Sequence, residues 1–334
     1  MIDILENIQI EDALILTAPP GWGKTYKLLK AIKSSSRRVV FIFPLRALCD
    51  EVYLKALEFK IPTINLRAQK DYELISEGNY DLIVATPELV RFSDMLVDRI
   101  FILDEFHLFY YWGDSFRDRM QEVYMELTSY SVPVVFLTAT LGDELKARLV
   151  TELELNYENI YQINMGNQKL KNYPKKIYFY PKSYITWMKD DYKYSKKKGT
   201  SLIFCKYREE VKKISAELRS MGNCVLSCVG GEAQEFVNIL NTQDEIDYIV
   251  ATSVISHGVN LPNIQNLYFT YKVENLDFYL QMVGRGGRAG ENFNIHVQNL
   301  NYFRRLDLIL GFCRIFLKRL SNKVQSLLYY AYAY

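Results

Sequence analysis

At 334 residues, 49% hydrophobic and 24% charged, the chain has the make-up of a globular protein long enough to hold two cores of ordinary domain size. Its 41 lysines and arginines against 39 acids leave a formal net charge of +2, so no overall basic field exists and any grip on a polyanion must be local. No apolar stretch is long enough to cross a bilayer and no cleavable leader stands at the start, so an intracellular, cytoplasmic protein with no membrane partner is expected.

The first apolar run, Ala13 to Thr17, predicts a buried strand, and helix-spaced apolar residues after Lys24 (Tyr26, Leu28, Leu29, Ile32) predict a helix. Between them lies A-P-P-G-W-G-K-T, Ala18 to Thr25. In a strand, loop, helix unit this is a phosphate cradle. Pro20, Gly21, Trp22 and Gly23 form the loop, the glycines let backbone N–H groups wrap the phosphates, Lys24 reaches the β/γ oxygens and the Thr25 hydroxyl holds Mg²⁺. The pattern departs from its commonest form at Ala18, where a glycine is usual.

Apolar runs at 38–43, 82–85, 100–103 and 133–137 alternate with helical segments, which predicts a parallel sheet covered by helices on both faces. The run Ile100 to Leu103 ends in D-E-F-H, Asp104 to His107. Asp104 is expected to hold Mg²⁺ and Glu105 to orient and deprotonate an attacking water, because phosphoryl transfer depends on positioning and charge neutralisation more than on covalent chemistry. Tyr110, Tyr111 and Trp112 follow at once. Such aromatics stack on bases or pack against helices, and packing is the favoured expectation.

A second alternating set, at 176–180, 201–204, 224–228, 248–251, 267–271 and 294–297, predicts a second parallel α/β domain. Leu276 to Met282 reads as a helix leading into Q-M-V-G-R-G-G-R, Gln281 to Arg288. A guanidinium keeps its charge and presents a planar fork that suits a γ-phosphate in the transition state, so Arg285 and Arg288 are candidate arginine fingers. The expected division is a first domain over 1–165, a linker over 166–175 and a second domain over 176–334. Its tail, Tyr302 to Tyr334, reads as a basic amphipathic helix that packs on the second domain or docks a protein partner or nucleic acid. Cys49, Cys205, Cys224, Cys228 and Cys313 are unevenly spaced, with no second ligand pair beside Cys224 and Cys228. Buried free thiols are expected rather than a zinc site.

In this order the motifs resemble those of helicase superfamily two, and D-E-F-H resembles its DExH members. Pro44 to Leu48 is similar to motif Ia, Ala85 to Glu88 to motif Ib, Thr138 to Thr140 to motif III, Leu202 to Cys205 to motif IV and Ala251 to Pro262 to motif V. The last of these and the Gln281 to Arg288 segment are similar to those of Ski-like RNA helicases and archaeal repair helicases. The compact core also resembles CRISPR-associated helicases. The resemblance covers roughly Ala13 to Gly290. It implies two tandem RecA-like P-loop domains, with ATP and Mg²⁺ in the cleft between them. It also implies Gln281 at the γ-phosphate or its water, Gly258 and Asn260 near the nucleotide, and His107, Thr138 and Thr140 coupling the domains. Nucleic acid would cross both domains at Arg46, Thr86 and Thr252, with Lys206 and His257 as lesser candidates.

Seventeen residues precede Ala18, too few for the adenine-reading element of DEAD-box relatives; no strand-splitting hairpin is expected between Pro262 and Gln281, and no nuclease, winged-helix or ratchet domain after Gly290. The function expected is an ATP-dependent translocase or helicase on single-stranded DNA or RNA. A nucleotide-gated clamp that does not unwind would carry the same motifs. A polypeptide motor would need a large clamping insertion that the sequence lacks.

Overall fold

The computed structural model describes residues 2–180 and 199–298, apart from positions 97, 116, 244, 257, 258, 260 and 289. The expectations for His257, Gly258, Asn260, Cys313 and the tail over 302–334 lie outside the described residues. The first sheet comprises β1 (Asp12–Thr17), β2 (Arg38–Ile42), β3 (Thr63–Asn65), β4 (Leu82–Ala85), β5 (Arg99–Leu103), β6 (Val134–Thr138) and β7 (Asn159–Asn164). Their order is β3-β4-β2-β5-β6-β1-β7 and every pairing is parallel.

The continuous apolar runs have a direct cause in this layout. Successive side chains leave a strand on opposite faces, and here both faces are covered. Ile15, Phe101, Leu103 and Phe136 enter one core with helices α5 (His107–Gly113), α6 (Asp118–Ser129) and α7 (Asp143–Leu153). Leu14, Leu16, Ile102 and Leu137 enter another with α1 (Ile2–Asn7), α2 (Lys24–Ser34) and α3 (Arg46–Glu58). Each fully buried ring or branched side chain of this kind contributes about 1.5–3 kcal/mol relative to exposure.

The second sheet comprises β8 (Lys176–Tyr180), β9 (Thr200–Phe204), β10 (Val225–Cys228), β11 (Tyr248–Ala251), β12 (Ile264–Phe269) and β13 (Asn294–Gln298), in the order β10-β11-β9-β12-β13-β8, again all parallel. One face buries Leu202, Phe204, Ile249 and Leu267; the other buries Ile203, Val250 and Tyr268. Helix α4 (Tyr72–Glu77) lies in the first half; α8 (Arg208–Ser220), α9 (Ala233–Leu240) and α10 (Leu276–Val283) lie in the second.

Two strands have no counterpart in the sequence expectations. β3 has only three residues. β7 is an edge strand, N-I-Y-Q-I-N, in which only Ile160 and Ile163 are partly buried while Tyr161 is exposed, so it lacks the continuous apolar run that marks a central strand. Among the described residues, no helix is long and apolar enough to cross a membrane.

Candidate nucleotide site and interdomain cleft

Strand order brings the first-domain motifs together. β5, β6 and β1 are neighbours, so the segments leaving their carboxyl ends share one rim. The Ala18 N–H donates to Thr138 O at 3.1 Å and the Phe106 N–H to Leu137 O at 2.9 Å, which fixes the phosphate loop and the D-E-F-H turn on either side of β6.

The loop has the backbone its glycines were expected to provide. Gly21 and Gly23 have φ of 75° and 83°, the left-handed region where a side chain would be strained. Lys24 opens α2, and its Nζ donates back to Ala18 O at 3.2 Å, which folds the ammonium across the loop mouth. Lys27 Nζ sits 3.4 Å from the centroid of the Trp22 ring, a cation–π contact that steadies the loop tip beside Pro20. Thr25 follows in the first turn of the helix.

Asp104 is buried, and its Oδ1 has no hydrogen-bond partner among the described residues. Burial and the adjacent Glu105 charge push its carboxyl well above the usual range, with Lys24 opposing them. An orphaned buried acceptor beside a phosphate loop fits a cation: Mg²⁺ takes one or two protein oxygens and completes its shell with phosphate and water. Among the described residues no cluster of three or more His, Cys, Asp or Glu forms a metal site by itself. Glu105 has φ of 49°, a left-handed conformation that costs a non-glycine residue about 1–3 kcal/mol. Nothing in the sequence signalled this turn.

The second domain closes over this rim through α10. Gln281 Nε2 donates to Glu105 Oε2 at 3.0 Å and lies 2.9 Å from His107 Nε2. His107 Nδ1 is 2.8 Å from Thr138 Oγ1, and the Thr138 hydroxyl donates to Thr140 O at 2.7 Å. These contacts assign the proton on the ring. Since the Gln281 amide nitrogen can only donate and the Thr138 hydroxyl proton is already given to Thr140 O, His107 Nε2 accepts and Nδ1–H donates to Thr138. Burial lowers the His107 pKa, in keeping with this neutral imidazole. Glu105, Gln281, His107, Thr138 and Thr140 thus form one hydrogen-bonded chain across the cleft.

The two arginines have different surroundings. Arg285 is 4% exposed, with Nε donating to Ser256 O at 3.2 Å and Nη1 donating to Val259 O. Its guanidinium secures the loop after β11 rather than lying open in the cleft. Arg288 is half-buried, its Nε donates to Gly284 O at 3.2 Å, and its terminal nitrogens bond no protein atom among the described residues. Burial lowers its pKa, opposed by the charges of Glu51 and Glu105 from the other domain. Gly284 lies so close to Pro20 that a Cβ there would come within 3.3 Å of its Cγ.

Against this geometry, residues 2–147 match the family model for the DEAD/DEAH box helicase and residues 185–290 that for the helicase conserved C-terminal domain. Together the two matches cover well over half of the chain. The chain belongs to helicase superfamily two. Over 310 residues it is 26% identical to the ATP-dependent helicase SGS1 of Saccharomyces cerevisiae, covering 85% of this chain and 21% of that protein. It is also 26% identical to the RecQ-like DNA helicase BLM of Xenopus laevis, with 84% and 22% covered. The chain therefore spans about a fifth of the length of these curated relatives. The fold matches that of S. cerevisiae Dbp5 bound to RNA and ADP BeF3 with a TM-score of 0.71 at 18% identity, over 93% of this chain and 85% of that one.

On the proposed nucleic-acid side of this superfamily-two core, Arg46 turns inward: its guanidinium donates to the carbonyls of Leu66 and Arg67. Thr86 is buried, Thr252 is half-buried and Lys206 is exposed. Arg117, which the sequence did not single out, binds Glu88 at 2.6 Å and also donates to Pro44 O, tying together the segments similar to motifs Ia and Ib. A lone arginine 73 residues from its carbonyl partner leaves no local signal. Tyr110 is packed as expected, buried against Phe106 and Tyr124 with its hydroxyl donating to Glu152. Trp112 packs against the same core and Tyr111 reaches across to the second domain.

Proposed function

We propose that this superfamily-two chain hydrolyses ATP in the cleft between its two domains and couples turnover to stepping along single-stranded nucleic acid. The observation that carries the reading is the Gln281 amide bridging Glu105 and His107, because it joins the carboxylate placed to activate water to a second-domain helix. Nucleotide phosphates are held by the loop from Pro20 to Thr25 and by Lys24. Mg²⁺ held by Asp104 and the Thr25 hydroxyl would neutralise phosphate charge when bound. Glu105 orients the attacking water and accepts its proton, with Gln281 fixing the carboxylate. Arg288 meets the charge that develops on the transferred phosphoryl group, and Arg285 shapes the loop beside it. Opening about a hinge over 166–175, between a first domain 1–165 and a second 176–334, separates these groups and releases product.

Arg46, Thr86 and Thr252 stand as the proposed track side, where hydroxyls and backbone groups grip phosphate and sugar without reading bases. DNA is the favoured track, since several of the relatives similar in sequence are named DNA helicases and one an RNA helicase. The basic amphipathic sequence over 302–334 is proposed as a docking segment for a protein partner. Cys49 and Cys228 are buried free thiols, each pushed up to about 12 by burial, and support a reducing, intracellular setting.

ATP turnover measured side by side with no polymer, single-stranded DNA, single-stranded RNA and duplex DNA is the direct test. At least tenfold stimulation is expected from single-stranded DNA and less from duplex, on the order of 1.4 kcal/mol of transition-state stabilisation. Equal rates in all four arms would remove the coupling. Stimulated turnover without movement in a translocation assay would make the chain a nucleotide-gated clamp instead.

A further inference from the structure

Asp277 occupies the first turn of α10, where an acidic side chain ordinarily points into solvent and favours the helix N-terminus. Here it is 3% exposed. It is not needed as the cap, because the Asn275 side chain already accepts from the Asp277 and Phe278 N–H groups at 2.9 and 3.2 Å. Among the described residues no cation pairs with it. A buried carboxylate without a counter-ion persists only where donors converge on it, and each of these donors comes from outside the second sheet. Tyr111 Oη donates to Oδ2 at 3.0 Å from α5, the helix that begins at His107. The Gly142 N–H donates to Oδ2 at 3.3 Å from the turn after Thr140. Gln168 Nε2 donates to Oδ1 at 3.0 Å from the connecting segment. Burial pushes the Tyr111 hydroxyl up to about 12, so it keeps the proton it donates.

Asp277 and Gln281 are four residues apart and share one face of α10. Fixing the first therefore fixes the rotation that lays the second on Glu105 and His107. Phe278, between them, packs on both partner rings, 6.2 Å from His107 and 5.4 Å from Tyr111. We propose that Asp277 is the interdomain positioning residue of this ATPase, a buried acceptor by which the D-E-F-H helix, the T-A-T turn and the hinge segment together hold α10 in the hydrolysis-competent closure. The inference rests on the proposed ATPase function.

The test compares wild type, Asp277→Asn and Tyr111→Phe, each full length, in ATP turnover with and without the single strand that stimulates best. FRET between dyes on the two domains, read with a non-hydrolysable ATP analogue and the same strand, reports closure. Asp277→Asn is expected to lower stimulated kcat by about tenfold or more, the scale of losing hydrogen bonds to a buried charge, with a much smaller change in KM for ATP and a reduced closed fraction. Tyr111→Phe removes a single donor and is expected to lower kcat about threefold in the same direction, which keeps the test decisive if Asp277→Asn fails to fold. Wild-type closure and stimulated kcat in Tyr111→Phe together with either the same result or misfolding in Asp277→Asn would overturn the proposal, leaving Asp277 a structural residue. A wild-type protein that no polymer stimulates would instead count against the ATPase reading itself.

Discussion

Glu105→Gln is expected to abolish stimulated ATP turnover while leaving nucleotide binding intact. The substituted amide keeps the shape of the carboxylate and still offers Gln281 Nε2 an oxygen in place of Oε2, so the bridge across the cleft has a partner. What it lacks is a lone pair basic enough to take a proton from water. Loss of a positioned general base typically costs about 10²–10⁴-fold in rate. Lys24→Ala fails at an earlier step, because removing the ammonium that folds over the loop leaves the β/γ charge unmet and weakens binding itself. Binding of a fluorescent ATP analogue, measured beside single-turnover hydrolysis, separates the two. Glu105→Gln should bind and not hydrolyse; Lys24→Ala should do neither at ordinary nucleotide concentrations. Rapid hydrolysis by Glu105→Gln would place the base elsewhere in the cleft.

The sheet that supports these residues was legible because its strands are fully buried. A strand covered on both faces has to be apolar at every position, and Ile100 to Leu103 or Val134 to Leu137 could hardly be read otherwise. β7 carried no such constraint, since one side of it meets solvent. The phosphate loop and the D-E-F-H box were equally legible, as each follows a strand and needs residue types that few other contexts combine. Gly21 and Gly23 announced their own backbone geometry, whereas the left-handed Glu105 did not, because that conformation is imposed by the turn between β5 and α5 and not by its side chain.

Contacts between distant segments left the weakest trace. Asp277 sits 135 residues from Gly142 and 109 from Gln168, and a helix-opening aspartate reads as a solvated charge until tertiary structure closes over it. Arg46 illustrates the converse. Its position in the P-L-R-A-L segment suggested a phosphate contact, but the short β3 brings the carbonyls of Leu66 and Arg67 within reach and they occupy its guanidinium. The proposed track side therefore depends on Arg46 leaving these carbonyls or on its holding the loop that makes the contact.

Arg288→Ala is expected to reduce stimulated hydrolysis by about 10³-fold or more, the scale on which an arginine finger acts, with ATP binding and thermal stability close to wild type. Arg285→Ala should behave differently although both arginines were equal candidates from sequence. Its side chain is 4% exposed and donates to Ser256 O and Val259 O, so truncation leaves two buried carbonyls without partners and opens a void between α10 and the loop after β11. That costs about 2–4 kcal/mol of stability, read as a fall in Tm of several degrees, and it lowers activity by disordering the loop. Lysine substitution sharpens the contrast. At 288 a point charge on a flexible stem can still reach phosphate, so part of the rate should return. At 285 an ammonium is too short and too compact to reproduce the two-point grip on Ser256 and Val259, and Tm should stay depressed. If Arg285→Ala instead kept wild-type Tm while losing hydrolysis to the same extent as Arg288→Ala, both guanidinium groups would have to act at the nucleotide, and the contacts of Arg285 with Ser256 and Val259 would not be its stabilising role.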